Sequence, residues 1–299
     1  MAATLFRKHD IGRMVKKMGQ RSVLKRGISS CMVIFLVLMV LMPLIYLVSH
    51  SLKGQDFIYS IYSDEKINIW QRVWIKPFYV NLDQYYQVLF RTPKLLYMFW
   101  NSVFVVVPIV IGQIVIAFLA AYGFSKLKFP GSETLFFVYI VIMLMPFQVT
   151  LVPNYIMLSK LKMLDTKWAL ILPGVFNTFS VFFLKQYMEG IDKSFLEEAR
   201  LLGANEIQIL KYIILPLCKP ILVSVIMFVF IDYWSMVEQP ITFIKTETRY
   251  PLSVYLGTIT DSKKGIGFAC SVFYMVLPVG LAIYAQSDLT DGLRITNLK

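Results

Sequence analysis

Ile191-Asp-Lys-Ser-Phe-Leu-Glu-Glu-Ala-Arg-Leu-Leu-Gly-Ala-Asn-Glu-Ile-Gln-Ile-Leu-Lys-Tyr-Ile-Ile-Leu-Pro216 lies between two membrane-grade apolar segments. It is too patterned for a loop and too charged for a span. Ser194 precedes Glu197 by three residues, the spacing of a capping box in which the serine oxygen accepts the Glu197 N–H and the glutamate reaches back to the Ser194 N–H. The helix so started runs from Phe195 to Leu202, and Gly203 suits the left-handed position that closes it. Asn205 with Gln208 repeats a weaker start signal and opens a second helix toward Pro216. The stretch encodes helix, glycine turn, helix.

Phe195, Leu196, Ala199 and Leu202 share a stripe on the first helix. Ile207, Leu210, Ile213 and Ile214 do so on the second, with Lys211 outside it. One apolar face can pack beneath a membrane domain, and apolar surface left at the tip suits a partner's groove. A plain amphipathic hairpin lying on lipid gives the same periodicity. Periodicity alone does not separate the two.

The surrounding composition is that of a multi-span membrane protein. Of 299 residues, 57% are hydrophobic and 16% charged, and the mean hydropathy is +0.63. No polar shell for a soluble domain is available from such a balance. The net charge of +12 belongs to basic flanks of spans rather than to nucleic-acid binding, since no basic cluster is interleaved with stacking aromatics. Cys31, Cys218 and Cys270 are far apart and read as small apolar fillers. With His9 and His50 the only histidines, no metal site is expected. The N-terminus carries no cleavable signal pattern.

Judged against the ~20 residues needed to cross hydrocarbon, six spans are expected near 31–48, 95–125, 134–159, 168–184, 220–237 and 266–285. The predicted order is a basic segment 1–30, a first span 31–50, an outer segment 51–94, a five-helix core 95–286 with the 191–216 loop, and a tail 287–299. Arg7, Lys8, Arg13, Lys16, Lys17, Arg21, Lys25 and Arg26 precede the first span while Lys53 alone follows closely, which puts both termini and the 191–216 loop in the cytoplasm. Tyr59, Tyr62, Trp70, Trp74, Phe78, Tyr79, Tyr85 and Tyr86 crowd the outer segment, as an interface belt, a docking surface or a sugar-binding face would.

Prolines at 43, 108, 146, 153, 173 and 278 interrupt the apolar runs. Membrane helices carry more proline than soluble ones, but such breaks also occur where helices bend around a pathway. Gln148, Asn154 and Asn177 are polar groups near span interiors that could line that pathway or tie helices together. Asp232, inside the fifth span, is a functional candidate by position, or a group hydrogen-bonded toward a partner or water. No internal repeat supports a secondary transporter of inverted-repeat design.

The 191–216 stretch resembles the EAA loop of ABC-importer membrane subunits: Glu-Ala-Ala, three residues, Gly, nine residues, Ile, one residue, Leu-Pro. Glu197, Ala199, Gly203, Ile213, Leu215 and Pro216 match in register, Glu198 replaces the middle alanine, and Leu202 stands where an acidic residue is common. Met145-Pro-Phe-Gln-Val-Thr-Leu-Val-Pro-Asn-Tyr-Ile-Met157 and Leu164-Asp-Thr-Lys-Trp-Ala-Leu-Ile-Leu-Pro173 are similar to carbohydrate-uptake permeases, the group that includes the smaller membrane subunit of the maltose importer. Trp234 and Pro240 fall where that group has Trp-Asn-Asp/Glu leading to Pro, with Ser235 and Met236 in place of the polar pair.

The resemblance implies an all-α membrane protein with the six-helix type I ABC-importer permease fold and a cytoplasmic coupling helix. It implies a bacterial inner-membrane location, a second homologous permease, two ATP-binding cassette subunits and an extracellular or periplasmic solute-binding protein, with an oligosaccharide or related glycan crossing. Ser194, Glu197, Glu198, Ala199, Arg200, Gly203, Ala204, Ile213, Leu215 and Pro216 would couple it to an ATPase. Gln148, Asn154, Asn177, Asp232 and Trp234 are the candidates for a substrate pathway, with helix tying the alternative for the three amides. No G-x-x-x-x-G-K-[ST] loop occurs, so the chain is expected to be no enzyme and to hold no cofactor, with ATP and Mg bound by the partners. An importer for a polyol or glycerol phosphate ester, and a secondary transporter, are the alternatives.

Overall fold

The computed structural model describes residues 29–63, 80–91, 93–259 and 263–289, and those residues form helices and turns without a strand. The basic segment before residue 29, the tail from 290 on, and Trp70, Trp74, Phe78 and Tyr79 lie outside the described residues. Among the described residues four helices are long and apolar enough to cross a membrane, and up to six spans result if each of two bent helix pairs counts as one.

The first crossing helix, α1 (Ser29–Ser51), has 0% of its apolar window buried against the rest of the chain. Only its far end is held. There His50, Ser51 and Lys53 are buried beside α2 (Gln55–Ser63) and α3 (Asp83–Tyr86). Ser51 Oγ lies 2.6 Å from the Tyr85 hydroxyl, Lys53 Nζ lies 3.4 Å from His50 Nε2, and Gln84 Nε2 donates to the Lys53 carbonyl. Lys53, read from the sequence as a lone flanking charge, is thus one member of a buried polar knot.

The spine is α4 (Pro93–Lys126), whose 34 residues make a rod of ~51 Å at 1.5 Å per residue. Its buried positions, among them Met98, Ser102, Val105, Ile109, Gln113, Ala117 and Ala121, recur at helical spacing along one face. Helices in lipid gain nothing from hiding apolar surface from water, so close approach of backbones must supply the contact. Small residues allow it. A Cβ at Gly112 would sit 2.8 Å from Val175 Cγ2, and one at Gly174 would sit 3.0 Å from both Ile109 Cδ1 and Tyr233 Cε1. Gln113 Nε2 adds a buried bond to Ser180 Oγ at 2.6 Å.

Three expected spans contain or end in breaks. The third becomes α5 (Ser132–Met143) and α6 (Phe147–Lys160), bent by 98°. Pro146 causes this: it has no N–H to give, and its ring drives Met145 away from helical backbone. The fourth divides into α7 (Trp168–Val175) and α8 (Thr178–Glu189), with Asn177 extended between them and capping α8. The fifth, α11 (Lys219–Trp234), stops short of the expected residue 237, and α12 (Glu238–Phe243) follows. The chain closes through α13 (Leu252–Gly257) and the last crossing helix, α14 (Lys264–Tyr284).

Candidate coupling loop and translocation cavity

At the Lys126 end of the spine the sequence folds into α9 (Ser194–Leu201) and α10 (Glu206–Ile209), the latter continuing through a π-helical turn Leu210–Ile214 into Leu215–Leu217. The expected Ser194–Glu197 capping box does not form. Lys193 occupies the cap position without a side-chain bond, and Asp192 Oδ1 instead accepts the Ser194 N–H at 3.0 Å. The Glu197 N–H goes to Lys193 O at 3.0 Å, and Asp192, a carboxylate only two residues upstream, takes the N–H that the Glu197 side chain would have accepted. Hydrogen bonds from the Ser194 backbone and side chain hold Asp192 below the usual carboxylate range.

Gly203 adopts φ +86°. Its N–H donates to Arg200 O at 3.0 Å and the Ala204 N–H to Ala199 O at 3.0 Å, the paired bonds of a Schellman close. The second start signal is the genuine box. Asn205 Oδ1 accepts the Gln208 N–H at 2.8 Å and Gln208 Oε1 accepts the Asn205 N–H at 2.9 Å.

The apolar stripes divide. Leu196 and Ala199 are buried, whereas Leu202, placed by periodicity on the same stripe, is 89% exposed. On α10, Ile207 is exposed and the buried pair is Ile209 with Ile214. Five residues apart, they share a face only because the π turn inserts one residue ahead of Pro216, which has no N–H for the ordinary ladder. Leu201, Leu202 and Ile207 stand out at the tip. A cavity of about 350 Å³ opens beside them, lined by Leu202, Gly203, Ala204, Gln208, Tyr212 and Ile213.

Two anchors that the sequence did not reveal tie this loop to the spine. Arg200 Nε donates to Glu206 Oε1 at 2.9 Å, and the Tyr122 hydroxyl of α4 donates to the other oxygen of Glu206. Lys126 Nζ donates to Ile191 O at 2.7 Å. An arginine and a glutamate placed symmetrically about a glycine turn were the available signal. Glu197 and Glu198 remain exposed, as do Leu215 and Pro216, while Ile213 is half-buried.

The three breaks converge. Phe147 at the start of α6, Asn177 between α7 and α8, and Asp232, Ser235, Glu238 and Gln239 around the end of α11 line one cavity of about 470 Å³. Irregular backbone at membrane depth is tolerated where it lines such a space. Asn177 Oδ1 is occupied by the Phe179 N–H at 2.8 Å. Gln148 Nε2 stands 3.5 Å from Glu238 Oε2 at the rim. Asn154 is on α6 but not in this wall.

Trp234 is not in the cavity wall either. It is 2% exposed, stacks on Phe230 and Tyr274 at centroid distances of 5.2 and 5.4 Å, and gives its indole N–H to Tyr274 O at 3.3 Å. Its size and aromatic neighbours make it core. Among the described residues no group of three His, Cys, Asp or Glu side chains is placed to hold a metal.

At the Pro93 end of the spine, Asp165 closes a clasp between two loops. Its carboxylate accepts the Lys245 and Thr246 N–H groups at 3.0 and 2.9 Å, the Thr246 hydroxyl at 2.7 Å and Arg249 Nη1 at 3.1 Å. The Thr246 backbone N–H, with the hydroxyl and then Arg249, holds this acid below its ordinary value.

Residues 87–286 match the family described as binding-protein-dependent transport system inner membrane component. The chain belongs to that family. It is therefore a transport permease, an integral membrane subunit rather than an enzyme. The permease is 32% identical over 184 residues to the polygalacturonan/rhamnogalacturonan transport system permease protein YtcP of Bacillus subtilis, a match covering 60% of this chain and 63% of that one, under two thirds of its length. It is 27% identical over 228 residues to the arabinooligosaccharides transport system permease protein AraQ of Halalkalibacterium halodurans, covering 75% and 81% of the two chains. In fold it resembles a chain of a bacterial ABC transporter involved in import of the acidic polysaccharide alginate, with TM-score 0.72 at 21% identity over 88% of this chain and 95% of that one.

Proposed function

We propose that this permease is one half of the membrane pathway of an ATP-driven importer for an oligosaccharide or related glycan. Its partners would be a second homologous permease, two ATP-binding cassette subunits that bind ATP and Mg, and a solute-binding protein on the far side. The bacterial inner membrane is its place, with both termini and the 191–216 loop in the cytoplasm, as the basic residues ahead of the first span favour. The carbohydrate names of YtcP and AraQ support the glycan reading.

The observation that carries the proposal is the capped helix–glycine–helix loop with Leu201, Leu202 and Ile207 exposed at its tip. Bare leucines beside Glu197 and Glu198 suit a groove on an ATPase better than water. Closure of the ATPase pair would push α9, and rigid-body motion would pass through the fixed turn to the spans. The division into a basic N-terminal segment, a first span, an outer segment, a five-helix core and a tail follows the same reading. Purification of the tagged chain with its native partners tests it: a second permease and two ATPase copies should co-elute, and glycan uptake in proteoliposomes should require ATP. A chain that runs alone and transports without ATP would refute the reading.

A further inference from the structure

The cavity at the three helix breaks has a sign. Asp232 and Glu238 both line it, and no lysine or arginine does. The Asp232 carboxylate has no hydrogen-bond or ion-pair partner among the described residues, and Glu238 has only the Gln148 amide, 3.5 Å away. Gln239, a third member of the wall, keeps its Oε1 shielded from solvent and without a partner. Among the described residues the wall therefore presents two carboxylates and no cation, between low-dielectric helices.

From this we infer that the pathway admits neutral or amino-bearing glycans and disfavours uronates. The inference rests on the glycan-importer reading and narrows it. Sugar hydroxyls and ammonium groups donate to such oxygens. A uronate brings a further negative charge to a wall in which none of the described residues is a cation. A cleft lined by one sign of charge focuses its field and enriches the opposite sign about 10- to 1,000-fold. Asp232 and Glu238 are thus specificity-determining residues.

Charged thiol reagents read the sign of the cavity without knowledge of the substrate. Cys218 and Cys270 are fully buried, so a Cys31→Ser background with Ser235→Cys places one reactive thiol in the wall. In membranes containing the chain with its partner subunits, ethylammonium methanethiosulfonate should modify that thiol at least ~10-fold faster than the ethylsulfonate reagent, after normalisation to a free thiol. Adding Asp232→Asn and Glu238→Gln should bring the ratio to about unity. Equal rates, or faster reaction of the anion, with both carboxylates present would overturn the inference.

A transport arm separates this inference from the reading beneath it. In proteoliposomes of the assembled importer, methyl-esterified trigalacturonate should be taken up faster than trigalacturonate, because esterification removes the charge and adds only one methyl group to each ring. Equal ATP-driven uptake of both would overturn the inference and leave the importer reading intact. ATP-independent uptake would sink the importer reading, whatever the thiol rates show.

Discussion

Arg200 and Glu206 meet across the Gly203 turn at 2.9 Å, and the free oxygen of Glu206 receives the Tyr122 hydroxyl from the spine. A charge pair that bridges a helix–turn–helix fixes the angle between its arms. Both side chains are over one third exposed, at 41% and 46%, so solvent screens the pair and its coupling energy should be about 0.2–1 kcal/mol. A double-mutant cycle of Arg200→Ala and Glu206→Ala, read by thermal unfolding of the purified complex, checks it. Coupling that survives about 1 M salt unchanged would mean that packing, not charge, joins the arms.

Gly203→Val places a β-branched residue at φ +86°, where nothing lies within 4 Å of the new Cβ. The cost is therefore backbone strain alone, about 1–2 kcal/mol. Membrane insertion should persist while ATP-coupled uptake falls. Gly203→Asn, better tolerated in the left-handed region, should retain more uptake than valine. Equal uptake in all three proteins would mean that the turn angle does not matter.

The two candidate caps should behave differently. Asn205→Ala loses a reciprocal pair of bonds and should destabilise the loop by ~1 kcal/mol. Ser194→Ala removes a side chain that does not cap and should stay within about 0.5 kcal/mol of the parent. Hydrogen exchange of the 191–216 amides distinguishes them.

That contrast shows what was legible in the sequence. Gly203, Pro146 and the long apolar runs act through their own backbone chemistry, so turn, break and spans could be read directly. Ser194 could not, because Asp192 competes for the same N–H. The Ile209–Ile214 face was hidden because a period of 3.6 does not anticipate a π turn. The cavity was half visible: Asn177 and Asp232 stood out as polar residues in apolar runs, Glu238 and Gln239 lay past the expected span, and Trp234 was misplaced because its burial depends on Phe230 and Tyr274. The contacts of Asp165 with Thr246 and Arg249, and of Tyr122 with Glu206, join residues far apart in the chain, and spacing carries no trace of them.

Asp165 should make stability fall at low pH. Its folded-state acid is held below the ordinary value of 3.8, so its contribution is complete above that value and is lost as pH falls through the lower folded one. Asp165→Asn removes this term. The melting temperatures of parent and variant should therefore differ near neutral pH and converge as pH drops from about 5 toward 2. A gap that stays constant over that range would assign the clasp to neutral hydrogen bonds.

Gly174→Val would push a side chain into Ile109 and Tyr233, each 3.0 Å from the new Cβ, and should cost about 1–3 kcal/mol by overpacking. It should also loosen the bond from the Tyr233 hydroxyl to Gly174 O, 3.2 Å long. Gly174→Ala should cost less, because it adds one carbon. Yield and melting temperature of the purified complex measure both.

The 76° bend between the α10 arm and α11 has a mechanical consequence. The 16 residues of α11 span ~24 Å, with the loop at one end and Asp232 near the other. A tilt of ~10° about the bend would swing the Asp232 end by ~4 Å, given a rigid helix of that length. Under the proposed coupling, the arm and the rod would act as a crank, in which a stroke at Leu201 and Leu202 becomes a displacement comparable to the width of a sugar ring.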